Sequence, residues 1–274
     1  MVYYVSVLET IIIFAPTRFA IQIAQPIMDH QLAIQENGFT VLKNVFDQPS
    51  IKRLLASTAA GLNEGTTENI KTSLGETYAA RNLIKLAPEL ATMWRCDRLI
   101  DLLQATLGET VGLVRVLYFD KHPNRTWTLP WHQDMTIAVQ DNSLPSSVFC
   151  KPTTKSGVAH VEASEDVLKQ MLTLRIHLDK VTDDNGPLKV IRGSHHGKVS
   201  DQTATAAAQS HAVDTIYSAA GDVLAMRPLI SHASGASTPG TTQHRRILHL
   251  EFSGQPDLPD GFQWYHFITN VNSN

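Results

Sequence analysis

The chain has 274 residues, 43% of them hydrophobic and 18% charged, which is the composition of one ordinary globular domain and excludes a disordered, collagenous or coiled-coil chain. Lys and Arg number 23 against 26 Asp and Glu, a net charge of -3, so the basic excess that phosphate-backbone binding needs is missing and nucleic acid is not an expected partner. The two cysteines, Cys96 and Cys150, cannot build a disulfide framework, and no CxxC or Cys/His cluster suggests a structural zinc, which points to a reducing, cytoplasmic setting.

Residues 1–27 are apolar in Val5 to Leu8, Ile11 to Phe14 and Phe19 to Ile23. Pro16 and Arg18 break the run, no Lys or Arg precedes Glu9, and no stretch reaches the ~20 apolar residues of a spanning helix, so neither a signal peptide nor a membrane anchor is expected. An extra strand, a partner-binding segment and an upstream extension of the reading frame stay open. The last is favoured, because Asp29-His30-Gln31-Leu32 after Met28 reads as a domain start. The expected division is an extension over 1–27, outside the fold, and one domain over 28–274.

After Met28 the first half of the chain reads as helical with one early strand. Apolar residues recur at helical spacing in Ile51, Leu54 and Leu55, and again in Leu90, Met93, Leu99, Leu102, Leu103 and Leu107, with Gly108 placed to stop the second run. From Val111 the period becomes two. Strands are expected over 111–119, 131–139, 158–162, 171–179, 187–191, 211–216, 222–226 and 245–252, a pattern of sandwich or barrel and not of a parallel sheet. Asn185-Gly186 predicts a tight hairpin pairing 171–179 with 187–191. In 171–179, Leu172, Leu174, Ile176 and Leu178 alternate with Thr173, Arg175, His177 and Asp179. In 245–252, Leu248, Leu250 and Phe252 alternate with Arg245, Ile247, His249 and Glu251. Side chains change face at every strand residue, so each strand has an apolar face for the helices and a polar face for an interior cavity.

Eleven of the 12 histidines lie between His122 and His266. His132-Gln133-Asp134 sets an imidazole and a carboxylate side by side on one strand face, but with 16 Asp in the chain such a triplet is expected by chance about once, and His177-Leu178-Asp179 is a second. Order separates them. Two His and one carboxylate on one face of an octahedral ion leave three positions open, the arrangement of non-haem Fe(II) oxygenases. In an eight-stranded double-stranded β-helix the HxD pair lies on the second strand and the third ligand on the seventh. His132 and Asp134 lie on the second expected strand and His232 follows the seventh, whereas His177 lies on the fourth. Arg245 then opens the eighth strand on the polar face, where its guanidinium fork suits a carboxylate, and Arg246 points the other way.

Trp131-His132-Gln133-Asp134, Asp184-Asn185-Gly186-Pro187-Leu188 running to Gly193-Ser194-His195, Pro228 to Ser234 with His232, and Arg245-Arg246-Ile247-Leu248-His249-Leu250 together resemble the phytanoyl-CoA dioxygenase family of Fe(II)- and 2-oxoglutarate-dependent oxygenases, over roughly residues 30 to 253. The resemblance implies a mostly β fold with N-terminal helices, the double-stranded β-helix or cupin-like jelly roll. It implies iron on His132, Asp134 and His232, 2-oxoglutarate as cosubstrate held by Arg245 with Ser234, and O2 as oxidant. Arg175 stands at a cofactor-pocket position that is Trp in the mammalian member, and Thr173 shares its face.

The expected reaction is hydroxylation of a small organic substrate with release of succinate and CO2. The alternative is a non-catalytic metal- or sugar-binding jelly roll, which the complete set of three ligands and Arg245 disfavours. Asp134 disfavours a halogenase, which needs a small residue there. The family name does not make the substrate an acyl-CoA, because one fold and iron site serve very different molecules and no basic cluster for a CoA phosphate is visible. His195 reads as structural, His196, His211, His244 and His266 as solvent-facing, His177 and His249 as satisfied barrel histidines, and Arg81 and Lys121 as surface charges. Oligomeric state is not written in these motifs.

Overall fold

The computed structural model describes residues 18–73 and 75–269. Helix α1 (Arg18–Asn37) leads into strand β1 (Phe39–Leu42) and helix α2 (Gln48–Glu64), followed by β2 (Ile70–Ser73), β3 (Glu76–Ala80), α3 (Leu83–Leu86), α4 (Leu90–Met93) and α5 (Asp97–Leu107). From β4 (Gly112–Asp120) the chain is mostly strand: β5 (Leu129–His132), β6 (Thr136–Val139), β7 (Cys150–Lys155) and β8 (Val158–Glu162). Helix α6 (Glu165–Lys169), β9 (Met171–His177), β10 (Leu188–Ile191), α7 (Asp201–Ala207), β11 (Val213–Ile216), β12 (Val223–Met226), β13 (His232–Ser234), β14 (Arg246–Ser253) and β15 (Ile268–Thr269) complete it. Most of the apolar N-terminal segment lies outside the described residues, and α1 crosses the division expected at residue 28. No described helix is long and apolar enough to cross a membrane.

Two antiparallel sheets face each other as the walls of a double-stranded β-helix. The larger has the order β1-β12-β9-β14-β4-β3-β2, with β15 beside β4; the smaller is β11-β10-β13-β5. A third sheet, β6-β8-β7, stands at one side. The alternation in β9 and β14 decides what each face meets. Leu172, Leu174, Ile176, Leu248, Leu250 and Phe252 form one core with α2, α4 and α5, through Ile51, Leu54, Leu90, Leu99, Leu102 and Leu103. Trp94, just past α4, sets its ring edge-on to Phe252 at 4.7 Å and 73°. Local chemistry starts and stops these helices. Asp47 accepts a hydrogen bond from the Ser50 amide at 2.8 Å to cap α2, and Gly108, at φ +93°, ends α5 where the sequence placed the stop.

Two expectations about the strands are corrected. Residues 131–139 are not one strand. β5 ends at His132 and β6 begins at Thr136 in another sheet. The buried Gln133 causes the break: its amide donates to the carbonyls of Gly197 and Leu229 and its oxygen accepts from Val199 N, which ties the chain to two loops instead of a neighbouring strand. The second correction concerns Asn185-Gly186, which is not a hairpin turn. β9 pairs with β12 and β14, whereas β10 pairs with β11 and β13 in the opposite sheet. Asp183–Asn185 is a 3-10 turn closed by a Thr182/Asn185 capping box, and the buried Asn185 amide donates to the carbonyls of Lys180 and His244. Side-chain hydrogen bonding has diverted a hairpin sequence into a crossover between sheets.

Candidate metal and cosubstrate site

His132 and His232 are Cα partners across the β5/β13 pair, so their imidazoles leave adjacent strands side by side, with ring centroids 4.2 Å apart. Asp134 reaches the same point from the turn after β5, where its amide donates to the Pro228 carbonyl at 3.0 Å. His132 Nε2 lies 3.9 Å from Asp134 Oδ1, and His232 Nε2 lies 3.7 Å from Asp134 Oδ2. One ligand atom from each of the three residues lies within 4.8 Å of the others, and among the described residues this is the group of three His, Cys or carboxylate side chains that could hold a metal ion.

Both imidazoles are set in one tautomer. His132 Nδ1 donates to the Pro130 carbonyl at 2.8 Å and His232 Nδ1 to the Ile230 carbonyl at 2.9 Å, which leaves each Nε2 lone pair turned to the shared centre. Burial pushes the His232 pKa down to about 4, so the ring is neutral at pH 7, the form a metal takes. Burial works against the Asp134 carboxylate, but His232, His249, His132 and Arg115 outweigh it and hold its pKa below the ordinary value. Asp134 Oδ2 is buried without a hydrogen-bond partner. A carboxylate oxygen left bare beside two lone pairs fits a divalent cation. At metal–ligand bonds of about 2.1 Å, cis ligands lie about 3 Å apart, so each imidazole needs to close by about 1 Å on the Asp134 carboxylate to share an ion with it.

A second cluster lies on the polar inner face of the larger sheet. Arg245 sits just ahead of β14 and is 5% exposed; Lys121, just after β4, is 1% exposed. The two exchange backbone hydrogen bonds, each 3.2 Å, and so face each other directly. Lys121 Nζ donates to Ser234 Oγ at 2.9 Å and to the Gly235 carbonyl. Burial, then Arg245 and Arg175, push the lysine pKa down to about 7. Burial also works against the charge of Arg175 and Arg245, and each keeps a buried Nε without a hydrogen-bond partner. Gly186 closes this end: at φ +65°, a Cβ there would stand 2.5 Å from the Gly235 carbonyl and 3.1 Å from Lys121 Nζ.

Arg175 joins the two clusters through a buried chain. Its Nη1 lies 3.2 Å from His249 Nδ1, His249 Nε2 lies 3.2 Å from Glu251 Oε1, and Arg115 grips Glu251 with contacts of 2.8 and 2.6 Å. A carboxylate on Nε2 makes that nitrogen the donor, so Nδ1 accepts from Arg175. Thr173 shares this face, opposite Glu251 on β14 and Met226 on β12.

The remaining expectations divide. Lys121 is no surface charge but one of the most buried polar side chains, and Arg81 is half-buried at the edge of the barrel. The sequence offered no sign of this, because the faces of residues beyond a strand end cannot be counted. His244 is not free in solvent either, since its Nδ1 lies 2.9 Å from Asp120, and His266 has a buried Nε2 without a hydrogen-bond partner. The rival pair is dispersed: His177 is buried with its pKa pushed down to about 3, chiefly by burial, while Asp179 is engaged by the Arg246 guanidinium at 2.8 and 2.6 Å. His195 packs on Gly38 and bonds the Gln35 carbonyl at 3.1 Å.

A family model described as phytanoyl-CoA dioxygenase matches residues 34–247. An L-proline trans-4-hydroxylase of Streptomyces griseoviridis is 21% identical over 267 residues, covering 86% of this chain and 90% of that protein. Among solved structures, EctD from S. alaskensis with 2-oxoglutarate and 5-hydroxyectoine superposes with a TM-score of 0.62 at 18% identity, over 82% of this chain and 75% of that one. The non-heme alpha ketoglutarate dependent epimerase SnoN from nogalamycin biosynthesis gives 0.59 at 16% identity, over 84% of each chain.

Proposed function

The chain belongs to the phytanoyl-CoA dioxygenase family and is an Fe(II)- and 2-oxoglutarate-dependent oxygenase acting on a small molecule, and from that premise we propose which residues serve the reaction and that the reaction is a hydroxylation. Iron is held by His132, Asp134 and His232. The observation that carries this is the convergence of two tautomer-fixed Nε2 lone pairs on the Asp134 carboxylate, His132 at 3.9 Å from Oδ1 and His232 at 3.7 Å from the bare Oδ2. Three protein ligands leave three positions open, and a bound ferrous ion there supplies the capacity to chelate a 2-oxo acid and activate O2.

Arg245 binds the far carboxylate of 2-oxoglutarate through its guanidinium fork, with Ser234 as a hydroxyl donor and Lys121 as a second cation. What supports this is a buried positive cluster with spare donors and, among the described residues, no carboxylate hydrogen-bonded to it, since burying like charges opposite one another is costly unless an anion joins them. Arg175, steadied through His249 by Glu251, turns its remaining donors between that cluster and Asp134, so it orients the cosubstrate's body; Thr173 lines the same wall.

Hydroxylation, with succinate and CO2 released, is supported by two similar proteins whose descriptions name a hydroxylase and a hydroxylated ligand. The free, unpaired cysteines Cys96 and Cys150 support the reducing, cytoplasmic setting that ferrous iron needs. The test is product analysis: with Fe(II), 2-oxoglutarate and 18O2, the product of the true substrate carries one labelled oxygen and succinate the other. A product without the label would overturn hydroxylation.

A further inference from the structure

A recess opens between the end of β3, the strand β4 and the third sheet, and two of the cations that line it, Arg81 and Lys155, are near enough to Asp134 to feel its charge. Its chemistry is unbalanced. Arg81, Arg115 and Lys155 all line it. Arg115 is satisfied, because its guanidinium grips Glu251 and its Nη2 also donates to the Thr136 carbonyl at 3.0 Å. The other two cations are not. Among the described residues the half-buried Arg81 guanidinium has neither a hydrogen-bond acceptor nor an ion pair, and Lys155 Nζ reaches only the neutral Thr136 Oγ1 at 3.0 Å. That bond tethers the ammonium two residues beyond Asp134, and both Arg81 and Lys155 are near enough to feel the charges of Asp134, Arg115 and Glu251. Cations crowded together at a half-buried place, with Glu251 already taken by Arg115, are what an anion site looks like before its anion arrives.

One more group narrows the ligand. His160, on β8, is 3% exposed; its Nδ1 donates to the Val158 carbonyl at 2.9 Å, so Nε2 carries a lone pair, and that nitrogen is buried without a partner in the recess wall. Burial keeps this imidazole neutral, with its pKa pushed down to about 4. The wall therefore offers two cationic donors and one neutral acceptor.

We propose that this recess is the substrate's binding site and that the substrate is a small carboxylic acid, its carboxylate held by Arg81 and Lys155 and an adjacent hydroxyl or amino hydrogen donated to His160 Nε2. This rests on the oxygenase reading and deepens it. The carboxylate is fixed at the rim and the carbon skeleton runs inward towards Asp134, which presents a C–H bond to the reacting centre at a set distance from the acid group.

The test uses the full chain loaded anaerobically with Fe(II) and 2-oxoglutarate. Its visible charge-transfer band is titrated with the common amino acids including L-proline, with small 2-hydroxy acids, with the primary amide of each, and with glycerol 3-phosphate. The expected result is that at least one acid shifts the band, its amide does not, and R81Q and K155Q each raise that acid's apparent Kd at least tenfold. The affinity for 2-oxoglutarate stays unchanged in both variants, and K180Q, which removes an exposed charge elsewhere, leaves the acid's Kd as it was. Circular dichroism identifies a variant that has not folded, and H160F, which removes the acceptor but keeps a ring, then serves in its place with the same expected loss. Equal shifts by acids and amides, a response to the phosphate ester alone, or no response to any acid would overturn the proposal. So would variants that weaken 2-oxoglutarate in place of the acid, since Arg81 would then belong to the cosubstrate. Absence of the band in the unaltered protein is a different failure: it removes the oxygenase reading, and this inference with it.

Discussion

Lys121 and Arg245 meet as a directly opposed cross-strand pair, exchanging backbone hydrogen bonds of 3.2 Å, with both side chains buried. Like charges in that relation destabilise a sheet. The arrangement becomes favourable when a carboxylate lies between them, which is the role assigned here to 2-oxoglutarate.

The sign of the pH dependence follows. With the site empty, burial and then the two neighbouring arginines hold the lysine pKa near 7, so Lys121 is charged below that pH and neutral above it. A bound dicarboxylate raises the pKa, so 2-oxoglutarate binding takes up a proton above neutrality. Its Kd is flat below about pH 6.5 and climbs by up to about tenfold per unit above 7 until the bound-state pKa is reached. The K121R variant flattens the profile, and anaerobic titrations across this range measure both curves. A flat profile in the unaltered protein would show that Lys121 does not touch the cosubstrate.

Arg245 and Arg246 are adjacent but perform different work. R245K loses the planar fork and raises the Kd for 2-oxoglutarate by at least tenfold with little change in Tm. R246K disturbs only a partly exposed contact with Asp179, with side-chain exposures of 31% and 18%, so it costs about 1 kcal/mol of stability and leaves the Kd alone. Exchanged effects would mean that the register of β14 is wrong by one residue.

The residues that build the core and the candidate metal site were legible because strand alternation and motif order are local. Leu172 to Leu178 and Leu248 to Phe252 take the faces their alternation predicts, and the spacing of His132, Asp134 and His232 picks out the group that the fold gathers. What the sequence concealed depends on contacts distant along the chain. Gln133 breaks a strand by bonding loops 64 to 96 residues away, and Asn185 makes a crossover of a hairpin motif by reaching His244. Lys121 and Arg81 look like surface charges until the strands beside them are in place. No periodicity reveals that a lysine ends up against Ser234.

Gly186 is required for the same end of the barrel. A methyl group at that position meets the Gly235 carbonyl at 2.5 Å and adopts a disfavoured positive φ, so G186A costs about 1–3 kcal/mol and shifts Lys121 from Ser234. Thermal unfolding and 2-oxoglutarate titration are expected to worsen together; an unchanged Kd in a destabilised variant would separate the crossover from the anchor.

The helical layer is expected to behave as ordinary core. Phe252 is fully buried against Trp94, and F252A therefore lowers stability by about 3–5 kcal/mol in denaturant titration, without altering the metal content of the protein that remains folded. Removal of residues 1–27 is expected to leave a folded, metal-binding protein, because Ile34, at 0% exposure, and the His30–Thr40 hydrogen bond of 2.8 Å hold the second half of α1 in place. Loss of folding in that truncation would make the segment an integral part of the domain.

The most direct measurement is anaerobic. Fe(II) and 2-oxoglutarate added to the unaltered chain are expected to produce a visible charge-transfer band that is absent in H132A and H232A, is removed by a chelator, and on admission of O2 gives way to succinate. Protein that demonstrably binds Fe(II) yet gives no band with 2-oxoglutarate would contradict the account, because chelation of the 2-oxo acid precedes every later step.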